Sequence, residues 1–142
     1  MTPRLTVVTL GVKDLPRARG FYCNGLGFRA SSASNESIVF IDAGGLVLGL
    51  YPRHLLAEDA RVKEAGSGFS GVTLAWNVAK KADVAAALAR AEKAGAKILK
   101  PAQDVFWGGH SGYFSDLDGH LWEVAHNPHW KLDARGSVEL PE

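Results

Sequence analysis

Cysteine is nearly missing from this chain. Cys23 stands alone, so no disulfide can form within it. Charge of one sign is missing too: 22% of the residues are charged, yet the formal net charge is only +1. That balance excludes the basic face of a nucleic-acid binder and the polar excess of a disordered tail. Lys93, Lys97 and Lys100 read as a solvated edge, not a basic patch. No apolar run reaches the ~18 residues that a membrane helix needs. The opening Met1-Thr2-Pro3-Arg4 does not read as a secretory leader. These absences together make a cytoplasmic setting the expectation. What the chain does have is a hydrophobic fraction of 46% over 142 residues, enough for one domain or two half-domains.

It also says nearly the same thing twice. Phe40-Ile41-Asp42-Ala43-Gly44-Gly45-Leu46 and Phe114-Ser115-Asp116-Leu117-Asp118-Gly119-His120 share Phe, Asp and Gly at one spacing. Upstream of each lies a second echo, Val8-Thr9-Leu10 and Val72-Thr73-Leu74. An internal repeat of this period means one structural unit used twice.

In the first copy, Thr6 to Val12 alternates as a strand, with Val8, Leu10 and Val12 on one face and Val7, Thr9 and Gly11 on the other. Asp14 can cap a helix that carries Pro16 in its first turn and ends at Gly25 and Gly27. Strands over 28–33, 38–41 and 46–51 complete it. A linker with a short helix around 55–62 follows, and the pattern restarts with a strand at 71–76. The clearest helix spans 81–94, where Val84, Leu88 and Ala91 form a stripe. Strands at 96–99, 110–114 and 120–126 precede a polar tail. The expected division is residues 1–53 and 70–128 as two modules, 54–69 as linker and 129–142 as tail. Each module reads as strand, helix, three strands. The fold class is therefore α+β: two paired βαβββ modules forming curved mixed sheets around a concave pocket.

Leu10-Gly11-Val12-Lys13-Asp14-Leu15, Phe21-Tyr22 and Gly25-Leu26-Gly27-Phe28 carry a further likeness, together with 112–123 in the second copy. In these the chain resembles the vicinal oxygen chelate superfamily, the glyoxalase, bleomycin-resistance and extradiol-dioxygenase group. The resemblance implies a homodimer and a small-molecule ligand. It also implies four metal-ligand positions on inner strands, which fall on Val7, Gly49, Gly71 and Glu123. Only Glu123 has a donor side chain, whereas a catalytic metal centre generally uses about three protein ligands. No cofactor is therefore expected, with a divalent metal at Glu123 left open. His110, His120 and His126 lie near Glu123 in sequence. Parity sets His120 and His126 on the face opposite Glu123, and only a bulge could bring His110 toward it.

Glu123 is the sharpest candidate. It alternates with Trp122 and Val124, so it faces the hollow if those two pack under a helix. A carboxylate on an apolar floor is costly to ionise, which suits a general base or a ligand anchor; a partner such as Arg53 could equally satisfy it. Val47 and Tyr51 share the face of Gly49, and Thr9 and Thr73 offer small polar contacts. Gly49 and Gly71 leave room where side chains would stand. Trp107, before Gly108-Gly109-His110, either covers a planar ligand or closes a dimer. Tyr113 and Phe114 point oppositely, and the glycines before them leave open which one lines the hollow. The expected ligand set is Thr9, Val47, Tyr51, Thr73, Trp107, His110, Tyr113 and Glu123. Two functions compete: a small-molecule binder lacking the usual metal, and an enzyme. The enzyme would be a lyase, isomerase or dioxygenase with a relocated metal, or a metal-free one using Glu123 as base.

Overall fold

The computed structural model describes residues 5–64, 66, 68–70 and 72–140. The chain divides into two compact units, Met1–Ser70 and Gly71–Glu142.

The first unit runs β1 (Val7–Val12), α1 (Leu15–Arg19), a π-helical turn (Gly20–Gly25), β2 (Arg29–Ala30), β3 (Val39–Asp42), β4 (Val47–Pro52) and α2 (Arg53–Asp59). Helix α1 starts where expected. The Asp14 carboxylate accepts from the Arg17 N–H at 3.0 Å, and Pro16 occupies the first turn, where its missing N–H leaves no bond unmade. The sheet order is β1-β4-β3-β2, with β1 and β4 parallel and the other pairs antiparallel. Thr9 opposes Gly49 and Leu10 opposes Leu50. This register gathers Leu10, Val12, Val39, Ile41, Leu48 and Leu50 on the buried face, the side closed by Leu15, Ala18, Phe21 and Tyr22. Each large side chain fully buried there stabilises the fold by about 1.5–3 kcal/mol. Val7, Thr9, Val47, Gly49 and Tyr51 share the other face, as the alternation predicts.

The second unit repeats the plan. It holds β5 (Leu74–Asn77), α3 (Lys81–Lys93), β6 (Lys97–Asp104), β7 (His110–Ser115) and β8 (Leu121–His126), then β9 (Lys131–Leu132) and β10 (Val138–Glu139). Its sheet order, β5-β8-β7-β6 with β5 and β8 parallel, is the first unit's order again. Val84, Ala87, Leu88 and Ala91 of α3 are buried, as are Trp122 and Val124 of β8 and Phe114 of β7. Phe114 and Trp122 are register partners whose rings stack at 6.0 Å. The expectation that Trp122 and Val124 lie under a helix holds.

Five elements differ from the sequence reading. Strand β2 is only Arg29–Ala30 of the expected 28–33, its pairing with β3 being limited to those two residues. Strand β5 begins at Leu74, not at 71, and its ladder with β8 starts at Leu74 opposite Trp122. Val72 and Thr73 therefore precede the strand and are exposed, and Gly71 lies outside the described residues. Strand β6 runs on to Asp104, past the expected end at Leu99, with register shifts on either side of Lys100. Those irregularities accommodate Pro101, which has no N–H for a ladder. Helix α2 spans Arg53–Asp59, earlier than expected. The tail is a hairpin. Asp133 Oδ1 accepts from Arg135 N at 2.8 Å and Ser137 N at 2.9 Å, closing a turn that joins β9 to β10.

Candidate functional site

The side chain of Glu123 meets Tyr113. Strands β7 and β8 are joined by a tight turn that Asp116 organises, its Oδ1 accepting from Asp118 N at 2.9 Å and His120 N at 2.8 Å. The run Asp116-Leu117-Asp118-Gly119 is this turn. From it the ladder runs without a break, Ser115 opposite Leu121 through to His110 opposite His126. Tyr113 and Glu123 are thus directly opposed, on the face away from Phe114, Trp122 and Val124. The Tyr113 hydroxyl donates to Glu123 Oε2 at 2.5 Å. That bond, then burial, then the neighbouring negative charge push the Tyr113 hydroxyl from its ordinary 10.0 up to about 12. Both residues are half-buried.

This pairing decides what the sequence left open. Tyr113, not Phe114, shares the face of Glu123, because the irregularities sit in β6 and leave β7 regular. Within its own unit the partner of Glu123 is Tyr113, and in the first unit Arg53 Nε lies 3.5 Å from Glu64 Oε1. Ala75 and Ala125 flank Glu123 on β5 and β8, and Lys100 is the β6 partner of Tyr113. The site is a phenol–carboxylate pair with small apolar neighbours and one cross-strand lysine. Strand parity alone finds it once β7 is known to be unbulged.

His110 is elsewhere. It lies on the Phe114 face, where its Nδ1–H donates to Asp104 Oδ1 at 2.9 Å. Lys81 Nζ reaches the same oxygen at 2.9 Å. These two donors, Lys81 first, hold the Asp104 carboxyl below its usual range. The bulge that was to turn His110 toward Glu123 is in the neighbouring strand. His126 is also on that face, its Nδ1–H directed at the Val78 carbonyl at 3.3 Å. Nothing in the sequence pattern marked Asp104 or Lys81 as partners.

Trp107 lies in the turn before β7 and is 37% exposed. Its ring covers Gly109 so closely that a Cβ there would fall 1.8 Å from it. In the first unit, Thr9, Val47 and Tyr51 share one face, with Thr9 exposed and the other two half-buried. The space over Gly49 is partly taken: a Cβ there would sit 3.1 Å from Thr9 Oγ1. Thr73, exposed ahead of β5, is not on a strand face at all.

The residues present do not fit the metal centre that the fold family implies. Val7 and Gly49 bring no side-chain donor, Gly71 is a glycine, and the Glu123 carboxylate is already bonded by a phenol. Among the described residues, no three His, Cys, Asp or Glu side chains converge to hold an ion. Nor is any helix among them long and apolar enough to cross a membrane.

Comparison with known proteins places this geometry. The family model of the Glyoxalase/Bleomycin resistance protein/Dioxygenase superfamily matches residues 4–124. The crystal structure of a glyoxalase-related enzyme from Fulvimarina pelagi is 36% identical, covering 99% of this chain and 100% of that one, with a TM-score of 0.90. A glyoxalase/bleomycin resistance protein/dioxygenase from Nocardioides is 25% identical over 89% of this chain and 84% of that one, at a TM-score of 0.71. A lactoylglutathione lyase from Agrobacterium tumefaciens shares the fold at 20% identity, over 89% of this chain and 95% of that one, with a TM-score of 0.67. No curated protein matches the chain.

Proposed function

Because the chain belongs to the Glyoxalase/Bleomycin resistance protein/Dioxygenase superfamily, we propose that it is a small-molecule-binding protein working without that superfamily's usual metal centre. The observation that carries this reading is the Tyr113–Glu123 bond at 2.5 Å. A carboxylate whose lone pair already accepts from a phenol is a hydrogen-bonding anchor for an organic ligand. The phenol oxygen accepts from a ligand donor, and the second carboxylate oxygen accepts from a hydroxyl or an ammonium. Ala75 and Ala125 leave room beside the pair for an apolar or planar body. Trp107 of the same unit belongs to this proposal as a further lining residue, and Thr9, Val47 and Tyr51, which share a face of the first unit, are proposed as ligand-contacting residues of that unit. A homodimeric state and a cytoplasmic setting belong to the proposal too.

A second reading has support of its own. The Fulvimarina pelagi protein, 36% identical over 99% of this chain, is described as a glyoxalase-related enzyme. In that reading Glu123 takes a proton from a bound substrate, and the Tyr113 hydroxyl steadies the charge that develops.

The test is a thermal-shift screen of the purified protein against planar phenols and aromatic ammonium compounds, paired with elemental analysis. A compound present at one hundred times its Kd stabilises by about 2.7 kcal/mol, a readily measured rise in Tm. The reading expects at least one such compound, an effect lost in Glu123→Gln, and no stoichiometric metal. Zinc, nickel, iron or manganese bound one per chain and lost in Glu123→Gln overturns it. Turnover of a bound compound that vanishes in Glu123→Gln favours the enzyme.

A further inference from the structure

The first unit has a groove of about 570 Å³ on its helical side, away from the Thr9–Val47–Tyr51 face. That size is ordinary for a small-molecule site. Leu15 and Val39, both buried core residues, form its floor. One wall is α1, with Pro16 and Arg19 on the same side of the helix at positions three apart. The other wall is the β2–β3 loop, which contributes Asn35 and Glu36.

That loop is tightly held. Asn35 N donates to the Ile38 carbonyl at 2.9 Å, and Asn35 Oδ1 accepts from Ser37 N at 2.8 Å and Ile38 N at 3.1 Å. Ser34 Oγ accepts from Phe40 N at 2.9 Å. With its oxygen occupied by the turn, the Asn35 amide has its NH2 left for donation outward. Arg19 and Glu36 are both exposed, and among the described residues neither makes a salt bridge. The groove thus offers donors on Arg19 and Asn35, an acceptor on Glu36 and an apolar floor between fixed walls. We propose that it binds a small zwitterion with an apolar side chain, of the chemical class of an apolar α-amino acid. The ligand carboxylate meets Arg19 and the Asn35 amide, its ammonium meets Glu36, and its side chain lies on Pro16 and the accessible edge of Leu15.

The test is an amide NMR titration of the full chain with L-leucine. Two companion probes each lack one charge: 4-methylpentanoate and 3-methylbutylamine. The expected result is saturable shifts confined to residues around Leu15, Arg19, Asn35 and Val39, with a Kd of about 1 mM or tighter. Each companion binds about tenfold or more weakly, as do Arg19→Gln and Glu36→Gln proteins toward leucine. Both substitutions are on exposed side chains, and their spectra report directly that the fold is kept. The proposal is overturned if leucine gives no saturable shifts, if the singly charged probes bind as well as leucine, or if both variants bind it unchanged.

Discussion

Replacing Tyr113 by Phe removes a single oxygen, and the structure says what that oxygen does. It donates to Glu123 Oε2, and its own ionisation is pushed up to about 12. A rise of two units from 10.0 corresponds to about 2.7 kcal/mol if none of it is screened. Both side chains are half-buried, so water reaches the pair and reduces this to about 1–2 kcal/mol. Because the folded state raises this pKa, the contribution is fully present below about pH 10 and is lost as pH rises through about 12. Urea unfolding of the native protein and Tyr113→Phe should therefore differ by about 1–2 kcal/mol near neutral pH, with Tm lower by about 3–7 °C. The gap should close between about pH 10 and 12. Ultraviolet titration should lose a late-ionising component in Tyr113→Phe, and Glu123→Gln should move that component to lower pH. Equal stabilities near neutral pH, or a tyrosine titration unchanged by Glu123→Gln, would refute the pairing and with it the anchor proposed above.

Two further outcomes rest on other parts of the molecule. Gly112 lies where β6 bulges against β7, and a Cβ there would fall 2.7 Å from the Lys100 carbonyl oxygen and 2.5 Å from Leu88 Cδ1. Gly112→Ala should destabilise by about 1–3 kcal/mol in urea unfolding, since the backbone on one side cannot yield; an unchanged midpoint refutes the close approach. At Cys23, burial pushes the thiol up while the Arg19 guanidinium holds it down. Arg19→Gln should therefore slow alkylation of this cysteine by iodoacetamide at mildly alkaline pH; faster labelling contradicts the assigned charge interaction.

Much of this was legible in the residues themselves. The alternation Val8, Leu10, Val12 names the buried face of β1, and Leu10 and Val12 are buried. Asp14 and Pro16 start α1 where they stand, and the stripe in α3 points inward. Such signals are local, because a side chain's direction follows from its position along a helix or strand. Thr73 and His110 show where that logic stops. Parity assigned Thr73 a face, but a strand exists only where a partner pairs with it, and the β5–β8 ladder starts at Leu74. His110 depended on which of two adjacent strands carries the bulge, and Pro101 puts it in β6.

By itself, the order of residues determined the repeated module, the positions of α1 and α3 and the buried faces. Each follows from the chain's own periodicity and the chemistry of its side chains, whereas the single acid among four ligand positions came from the family resemblance. Only tertiary structure decided that Tyr113 bonds Glu123 while His110 turns to Asp104 and Lys81. The reason is physical: these contacts join residues on different strands or on a helix and a strand. Their distance depends on register, and register is set by the whole sheet together.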